Sequence, residues 1–161
     1  MQDEILEMLR PLIDTGKARV ETDSNFYFDL IWYSFPFAGD RIDWVKLRAW
    51  IRRVQLGEED VVRFLEEVIR ETRASFTDNV VILSDNAFDV AVIMTIKDLK
   101  EWIVKLVAFP QHLYVIPTSI DWCICFAFEG YMDFGFSPNL RSAGYDHIRR
   151  AEQRARHKKT V

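Results

Sequence analysis

The residues in this sequence that are best suited to chemistry are two cysteines, Cys123 and Cys125, and the histidine that precedes them, His112. A cysteine nucleophile needs a base that takes its proton, and His112 on a neighbouring strand is the candidate for that role. The cysteines lie two positions apart on a predicted strand, a spacing that fits neither an ordinary disulfide nor a CxxC motif. Because thiols on buried strands are usually inert, we expect both to be buried and unreactive.

Three carboxylates of the same region, Asp121, Glu129 and Asp133, are the other candidates for chemistry. Asp121 and Glu129 stand at opposite ends of a predicted strand, roughly 25 Å apart at the usual rise per residue, which is too far for paired acid and base catalysis. Glu129 and Asp133 are closer together, but the sequence indicates no cleft around them. We interpret these acids as turn residues or as contacts to a partner.

Motifs for phosphate and metal binding are missing from the sequence. The six glycines are scattered and form neither GxGxxG nor GxxxxGK, so nucleotide binding is not predicted. Among the three histidines, His112, His147 and His157, no pair has the spacing of metal ligands. We therefore expect no cofactor, no metal site and no catalytic residue.

The cysteines and these acids lie in a segment, 110–138, that is predicted to form three strands. Its apolar runs are rich in β-branched and aromatic residues and are bounded by Pro, Ser, Asp and Gly, which is typical of short strands joined by turns. The predicted strands span 112–116, 122–128 and 131–136.

The last two of these strands are predicted to form a hairpin with a two-residue loop, Glu129 and Gly130. Gly130 supplies the positive φ of a tight turn, and Cys125 then faces Phe134. On this register the apolar core face holds Cys123, Cys125, Ala127, Met132, Phe134 and Phe136. The opposite face holds Trp122, Ile124, Phe126, Phe128, Tyr131, Asp133 and Gly135. Because that face is rich in aromatic residues, we expect a helix of the chain, a second copy or a partner to cover it.

Hydrophobic periodicity predicts the remaining elements. Apolar residues at helical spacing predict helices at 3–14, 43–55, 58–75 and 96–107. Apolar runs predict strands at 79–83 and 88–94, which a turn joins into an antiparallel pair. Residues 17–22 could form a further short strand, and for 25–36 a buried helix is slightly favoured over a strand.

Together these elements predict one α+β domain over 1–140, with an antiparallel sheet of about five strands packed against helices. The chain of 161 residues is 49% apolar, enough to bury about 70% of the surface of the unfolded chain. The composition then changes, and 141–161 are predicted to be a basic tail that is helical or partly disordered.

Charge is unevenly distributed along the chain. Residues 1–140 hold 14 Lys and Arg against 23 Asp and Glu, whereas 141–161 hold 7 against 2. An acidic body argues against nucleic acid as the main ligand and favours the approach of a basic protein. The charged N-terminus predicts no signal peptide, and no apolar run reaches the roughly 20 residues of a membrane span, so we expect a cytoplasmic protein without membrane contact.

A pattern of core and turn residues runs through about 85–138. It consists of Pro110, His112 and Tyr114, then Trp122 and Cys123, then Glu129, Gly130, Phe134 and Gly135. This pattern resembles small bacterial immunity-type proteins of polymorphic toxin and contact-dependent inhibition systems. The resemblance covers about a third of the chain and implies an antitoxin-like α+β domain without a catalytic signature.

The acidic body and the resemblance together predict a non-enzymatic protein-binding domain, in its specific form an immunity protein that neutralises a basic toxin. Binding hot spots favour Trp, Tyr and Arg, while the surrounding charges set association rate and partner choice. The candidate partner-binding residues are Trp122, Glu129, Tyr131 and Asp133. A homo-oligomeric scaffold or regulatory protein is the alternative, and a small cysteine-dependent enzyme is the second alternative.

Overall fold

A seven-stranded antiparallel sheet runs through the middle of the fold in the computed structural model, which describes residues 1–109 and 111–138. The described strands are β1 (Ala18–Glu21), β2 (Phe37–Ala38), β3 (Arg41–Ile42), β4 (Arg48–Val54), β5 (Asn79–Ser84), β6 (Ala91–Thr95), β7 (Leu113–Pro117), β8 (Trp122–Phe126) and β9 (Tyr131–Phe136). The sheet has the order β1-β6-β5-β7-β8-β9-β4, while β2 and β3 pair as a separate hairpin. It therefore has two more strands than the five predicted, namely β1 and β4.

Helices cover both faces of this sheet. They are α1 (Gln2–Asp14), α2 (Ser24–Ser34), α3 (Glu58–Thr72) and α4 (Ile96–Val107). The first face, here called face one, packs against α1, α3 and α4 through residues such as Leu9, Phe64 and Ile103. The opposite face, face two, packs against α2, the β2–β3 hairpin and Leu47, which follows a 3-10 turn at Trp44–Lys46. The α+β class is thus confirmed, with the sheet as the central layer.

Both interfaces are apolar. On face one the fully buried side chains include Ile82, Val115 and Phe134, and on face two they include Leu83 and Ile116. Burying a large apolar side chain of this kind stabilises a fold by about 2 kcal/mol. Because β5 and β7 contribute to both faces, their sequences read as continuous apolar runs.

Most predicted elements are confirmed. The helices predicted at 3–14, 58–75 and 96–107 are α1, α3 and α4, and the helix favoured for 25–36 is α2. The predicted strands correspond to β5, β6, β7, β8 and β9, and β5 pairs antiparallel with β6 as expected. β6 begins at Ala91, three residues later than predicted, because the preceding residues 87–90 belong to the loop that follows β5.

The helix predicted at 43–55 is wrong. This segment forms the short turn Trp44–Lys46 and then the strand β4, which pairs with β9. Its apolar residues have helical spacing, but Trp50, Ile51 and Val54 also suit a strand, and pairing with β9 decides between the two. β9 lies some 80 residues further along the chain than β4, so local sequence does not indicate this pairing.

The predicted register of the β8–β9 hairpin is also wrong. The loop has three residues, Phe128 to Gly130, and is closed by hydrogen bonds from the Gly130 amide to the Ala127 carbonyl and from the Ala127 amide to the Tyr131 carbonyl. Gly130 has a φ of +90°, so its predicted role in the turn is confirmed. A three-residue loop with a left-handed last residue is a common hairpin type.

This longer loop shifts the pairing by one residue, and a shift of one residue exchanges the faces. Cys125 pairs with Asp133 instead of Phe134, and Ile124 pairs with Phe134. The side chains of Trp122, Ile124, Phe126, Met132 and Phe134 therefore belong to the core of face one. Of the face expected to be covered, Trp122, Ile124 and Phe126 lie beneath helices of the chain, whereas Phe128 and Tyr131 are exposed.

The predicted basic tail at 141–161 lies outside the described residues. Across the residues that are described, no helix combines the length and the apolar composition needed to cross a membrane.

Candidate functional site

A row of polar side chains crosses face two at the β4 end of the sheet. Tyr114 on β7 pairs with Cys125 on β8, Cys125 pairs with Asp133 on β9, and Asp133 pairs with Arg52 on β4. Paired residues of neighbouring strands share a face, so these four side chains lie side by side. The row leads from a position under α2, where Phe28 contacts Tyr114, to the exposed edge strand.

Asp133 is the buried member that organises the exposed end of this row. Its side chain is 4% exposed and receives hydrogen bonds from Arg52 Nε at 2.8 Å, from Arg52 Nη2 at 3.2 Å and from Trp50 Nε1 at 2.9 Å. The hydrogen bonds between Arg52 and the Asp133 carboxylate raise the pKa of Arg52. A buried carboxylate with three donors holds both donor side chains in one geometry.

Arg52 lies between two exposed aromatic rings. Its guanidinium carbon is 5.4 Å from the centre of the Trp50 ring and 4.9 Å from the centre of the Tyr131 ring, which are cation–π distances. Trp50 is 37% exposed and Tyr131 is 42% exposed. Val54, which pairs with Tyr131, is exposed on the same face. We call the surface formed by Trp50, Arg52, Val54 and Tyr131 the aromatic face.

A cluster of charged groups lies beside the hairpin loop. The ring nitrogens of His112 contact two carboxylates, Asp85 Oδ2 at 2.7 Å from Nδ1 and Glu129 Oε2 at 2.8 Å from Nε2. Arg41 Nη2 of the β2–β3 hairpin donates to Glu129 Oε1 at 2.9 Å. We call Arg41, Asp85, His112 and Glu129 the charge cluster. It ties the β8–β9 loop to the ends of β5 and β7 and to the layer that covers face two.

These contacts alter the acidity of Glu129. Hydrogen bonds from the His112 ring, from the backbone and from Arg41 favour the ionised carboxylate and lower the pKa of Glu129 to about 2. The carboxylate therefore stays charged at neutral and mildly acidic pH, and it is already engaged by groups of its own chain.

The cysteines do not form a catalytic pair with His112. Cys123 and Cys125 are free and buried, as predicted, and burial raises the pKa of both thiols. A thiol that stays protonated is a poor nucleophile. Both ring nitrogens of His112 face carboxylates instead of sulfur. This arrangement offers no support for chemistry based on a thiolate.

The four sequence-predicted site residues fall into three environments. Glu129 and Tyr131 are exposed near the hairpin loop, and Asp133 lies buried beneath the aromatic face. Trp122 stands at the far end of β8 in the core of face one, with 6% of its surface exposed, and it contacts Phe134. The structure thus brings three of them together and separates Trp122 from the rest.

Three residues of the aromatic face, Trp50, Arg52 and Val54, were missed by sequence reasoning. They belong to the segment predicted as a helix at 43–55. An alternation of Trp50, Arg52 and Val54 with Ile51 and Arg53 is present in the sequence and fits a strand. That alternation was the available signal, and it competed with an equally good helical spacing.

Within the described residues, no group of three or more His, Cys, Asp or Glu side chains has an arrangement that could hold a metal ion. No protein-family model matches the chain, and no curated protein matches its sequence. The resemblance to immunity-type proteins therefore stays a prediction.

Proposed function

We propose that this chain is a non-enzymatic protein-binding domain and that the aromatic face is the centre of its contact surface. The observation that carries the proposal is the exposed stack of Trp50, Arg52 and Tyr131, which a buried carboxylate, Asp133, holds in place. Trp, Tyr and Arg are the residue types that supply most of the binding energy at protein interfaces.

The stack is suited to binding because its side chains are already fixed. Ordering a flexible side chain at an interface costs about 0.5–1.5 kcal/mol, and the bonds to Asp133 remove part of that cost before a partner arrives. The apolar surface continues past Val54 to Leu56 and to Phe128 at the loop, which are among the most exposed apolar residues described. A partner would cover these residues together with the aromatic face.

The more specific form of the proposal is an immunity protein for a basic toxin. Its support is the excess of acidic residues over 1–140, the resemblance described above and the exposed Glu129 two residues before Tyr131. Long-range attraction from the acidic body would raise the association rate, and contacts with the aromatic face would lower the dissociation rate.

A matched capture experiment tests the protein-binding proposal. Tagged wild-type protein and the variant Trp50→Ala·Tyr131→Ala are used to capture partners from the source cells, and the recovered protein is then purified and titrated. We expect the variant to bind at least about tenfold more weakly, since hot-spot truncations cost 2 kcal/mol or more. Phe76→Ala removes an exposed ring elsewhere, beside Lys100, and should bind like the wild type.

Stability measurements accompany this test because Trp50 also donates to Asp133. Tyr131→Ala alone leaves that hydrogen bond intact and should still weaken binding. Equal dissociation constants for the wild type, Tyr131→Ala and the double variant would overturn the proposal. Recovery of a partner that binds all variants equally would place the contact surface elsewhere on the protein.

A homo-oligomeric scaffold is the second candidate, and the position of β4 favours it. This strand ends the described sheet, and antiparallel pairing of two copies about Ile51 would set Trp50 of each copy opposite Arg52 of the other. A bulge between Arg48 and Ile51 and the arginines along the strand oppose such edge pairing, which is why this candidate ranks second. A mass that stays at 19.0 kDa at all concentrations would exclude it.

A further inference from the structure

A cavity of about 270 Å³ lies between the C-terminal end of α4 and the β8–β9 loop. It is partly open to solvent, and its walls include Val107, Phe109 and Gln111 from the α4 side and Gln55, Phe128 and Gly130 from the sheet side. Phe128 is 67% exposed and forms part of the rim. The cavity therefore adjoins the surface proposed above to contact a partner.

An unpaired acceptor is buried in the wall of this cavity. Gln111 is 3% exposed, and its Nε2 donates to the Leu106 carbonyl at 2.6 Å. Its Oε1 has no hydrogen-bond partner among the described residues. An unsatisfied buried acceptor destabilises the fold, so a donor that reached Oε1 would recover that free energy.

The other walls also favour a group that is positively charged. Val107 ends α4 and Ala108 is its cap, so the cavity faces the end of a helix where the backbone dipole is negative and attracts cations. Two phenylalanine rings, Phe109 and Phe128, are available for contact with a planar cation. None of the described residues that line the cavity has a charged side chain.

We infer that this cavity receives the guanidinium group of an arginine from the protein partner. Gln111 Oε1 has almost no accessible surface, so the inference includes a turn of this side chain toward the cavity. The planar group presents several N–H donors in a fixed fork, so it then donates to Oε1 and stacks on an aromatic ring at the same time. The inference rests on the proposed function, because it names one side chain of the partner that the hairpin end of the sheet would bind. A basic partner of the kind proposed supplies arginine on its surface.

A small probe tests the cavity without the partner. N-acetylarginine methylamide is titrated into isotope-labelled protein, and the NMR signals of the Gln111 side-chain amide and of the Ala127 and Gly130 backbone amides are followed. We expect saturable shifts in these signals with the arginine probe. The citrulline counterpart, which is neutral and has nearly the same shape, should bind at least about fivefold more weakly, since hydrogen bonds from a charged donor are stronger than those from a neutral one and the helix end attracts only the cation.

Two variants localise the binding to the cavity. Gln111→Met removes the acceptor with little change in volume, and Phe128→Ala removes a rim ring without touching the Gln111–Leu106 bond. Each should weaken binding of the arginine probe at least about threefold, while Phe76→Ala should leave it unchanged. Equal binding of the two probes, or equal binding by all variants, would overturn the inference, as would the absence of any shift.

The experiments distinguish a failure of the cavity inference from a failure of the protein-binding proposal. Trp50→Ala·Tyr131→Ala should weaken partner binding and leave arginine-probe binding intact, because neither residue lines the cavity. If the probe fails to bind while the aromatic-face variant still loses the partner, the cavity inference is wrong and the protein-binding proposal stands.

Discussion

At the scale of the residue, Asp133 is the group on which the exposed side chains of β4 depend. Arg52 and Trp50 donate three hydrogen bonds to it, and the carboxylate is almost completely buried. Such a pair adds little net stability by itself, yet removing one partner leaves a charge unpaired. Its effect here is to fix the orientation of an exposed guanidinium between two rings.

Glu129 gives the fold a dependence on pH. Its pKa in the folded protein is about 2, below the ordinary value of 4.5, so its contribution to stability is fully present above pH 4.5 and is lost as the pH falls toward 2. We expect Glu129→Gln to show a flatter decline in unfolding temperature over this range than the wild type. Thermal unfolding followed by circular dichroism at several pH values between about 5 and 2 measures the difference.

A matched control for this variant is Glu59→Gln. Glu59 is a highly exposed carboxylate that contacts Arg63 one helical turn away, a pair of the kind that contributes little. This variant should follow the wild-type curve. If the unfolding temperature of Glu129→Gln falls with pH as steeply as that of the wild type, the charge cluster does not couple to folding.

Sequence reasoning at this scale identified Glu129, Tyr131 and Asp133 because they flank a recognisable hairpin turn. It also selected Trp122, which lies in the core. The difference between Trp122 and Tyr131 depends on which face each one occupies, and that depends on the loop length. Residue type alone carries no information about a shift of one position.

At the scale of the element, the helices were predictable and β4 was not. Helices α1, α3 and α4 carry long apolar stripes, and such a stripe can be buried against any face of a sheet. Hydrophobic periodicity is therefore enough to predict these helices. β4 is a strand because its backbone pairs with β9, some 80 residues further along the chain. Such distant pairing overrides local propensity, and a single sequence does not reveal it.

The contact between the Trp44–Leu47 segment and β9 is tight at Gly135. A Cβ added to Gly135 would lie 2.6 Å from Leu47 Cβ and Cδ2, so a larger residue would push this segment away from the sheet. We expect Gly135→Ala to lower the free energy of unfolding by about 2 kcal/mol, as overpacked core substitutions do. Urea denaturation measures the change.

Gly57→Ala is the comparison for this variant, because no atom lies within 4 Å of an added Cβ at that position. Gly57→Ala should lower the free energy of unfolding by less than about 1 kcal/mol, the scale of a substitution at a helix N-cap. Equal losses in the two variants would show that Leu47 adapts to the added methyl group and that the contact is not tight in solution.

At the scale of the whole molecule, the sheet is covered on both faces by the chain itself, and both thiols lie in its middle. Cys123 and Cys125 are buried on β8 beneath the layer that includes α2. We expect a water-soluble disulfide reagent to leave the native protein unmodified and to titrate two thiols after unfolding in urea. The rate of absorbance change with and without urea measures this protection.

The same measurement separates the binding domain from the cysteine-dependent alternative. An enzyme of that kind would need one exposed thiolate, which would react within the dead time in the native state. Cys125→Ala supplies the control, since it should release one thiol in urea and remain protected without it. Rapid modification of one native thiol would contradict the burial described above.

The order of strands in the sheet has a further consequence for how the protein is made. Trp50 and Arg52 leave the ribosome early, whereas the residues that fix them, Tyr131 and Asp133, are added about 80 residues later. At about 5–20 residues per second this gap lasts about 4–16 s. Until then β4 has no strand to pair with, so the nascent chain lacks the assembled aromatic face. That face is completed only when β9 is available, in one step with the pairing of β4 in the sheet.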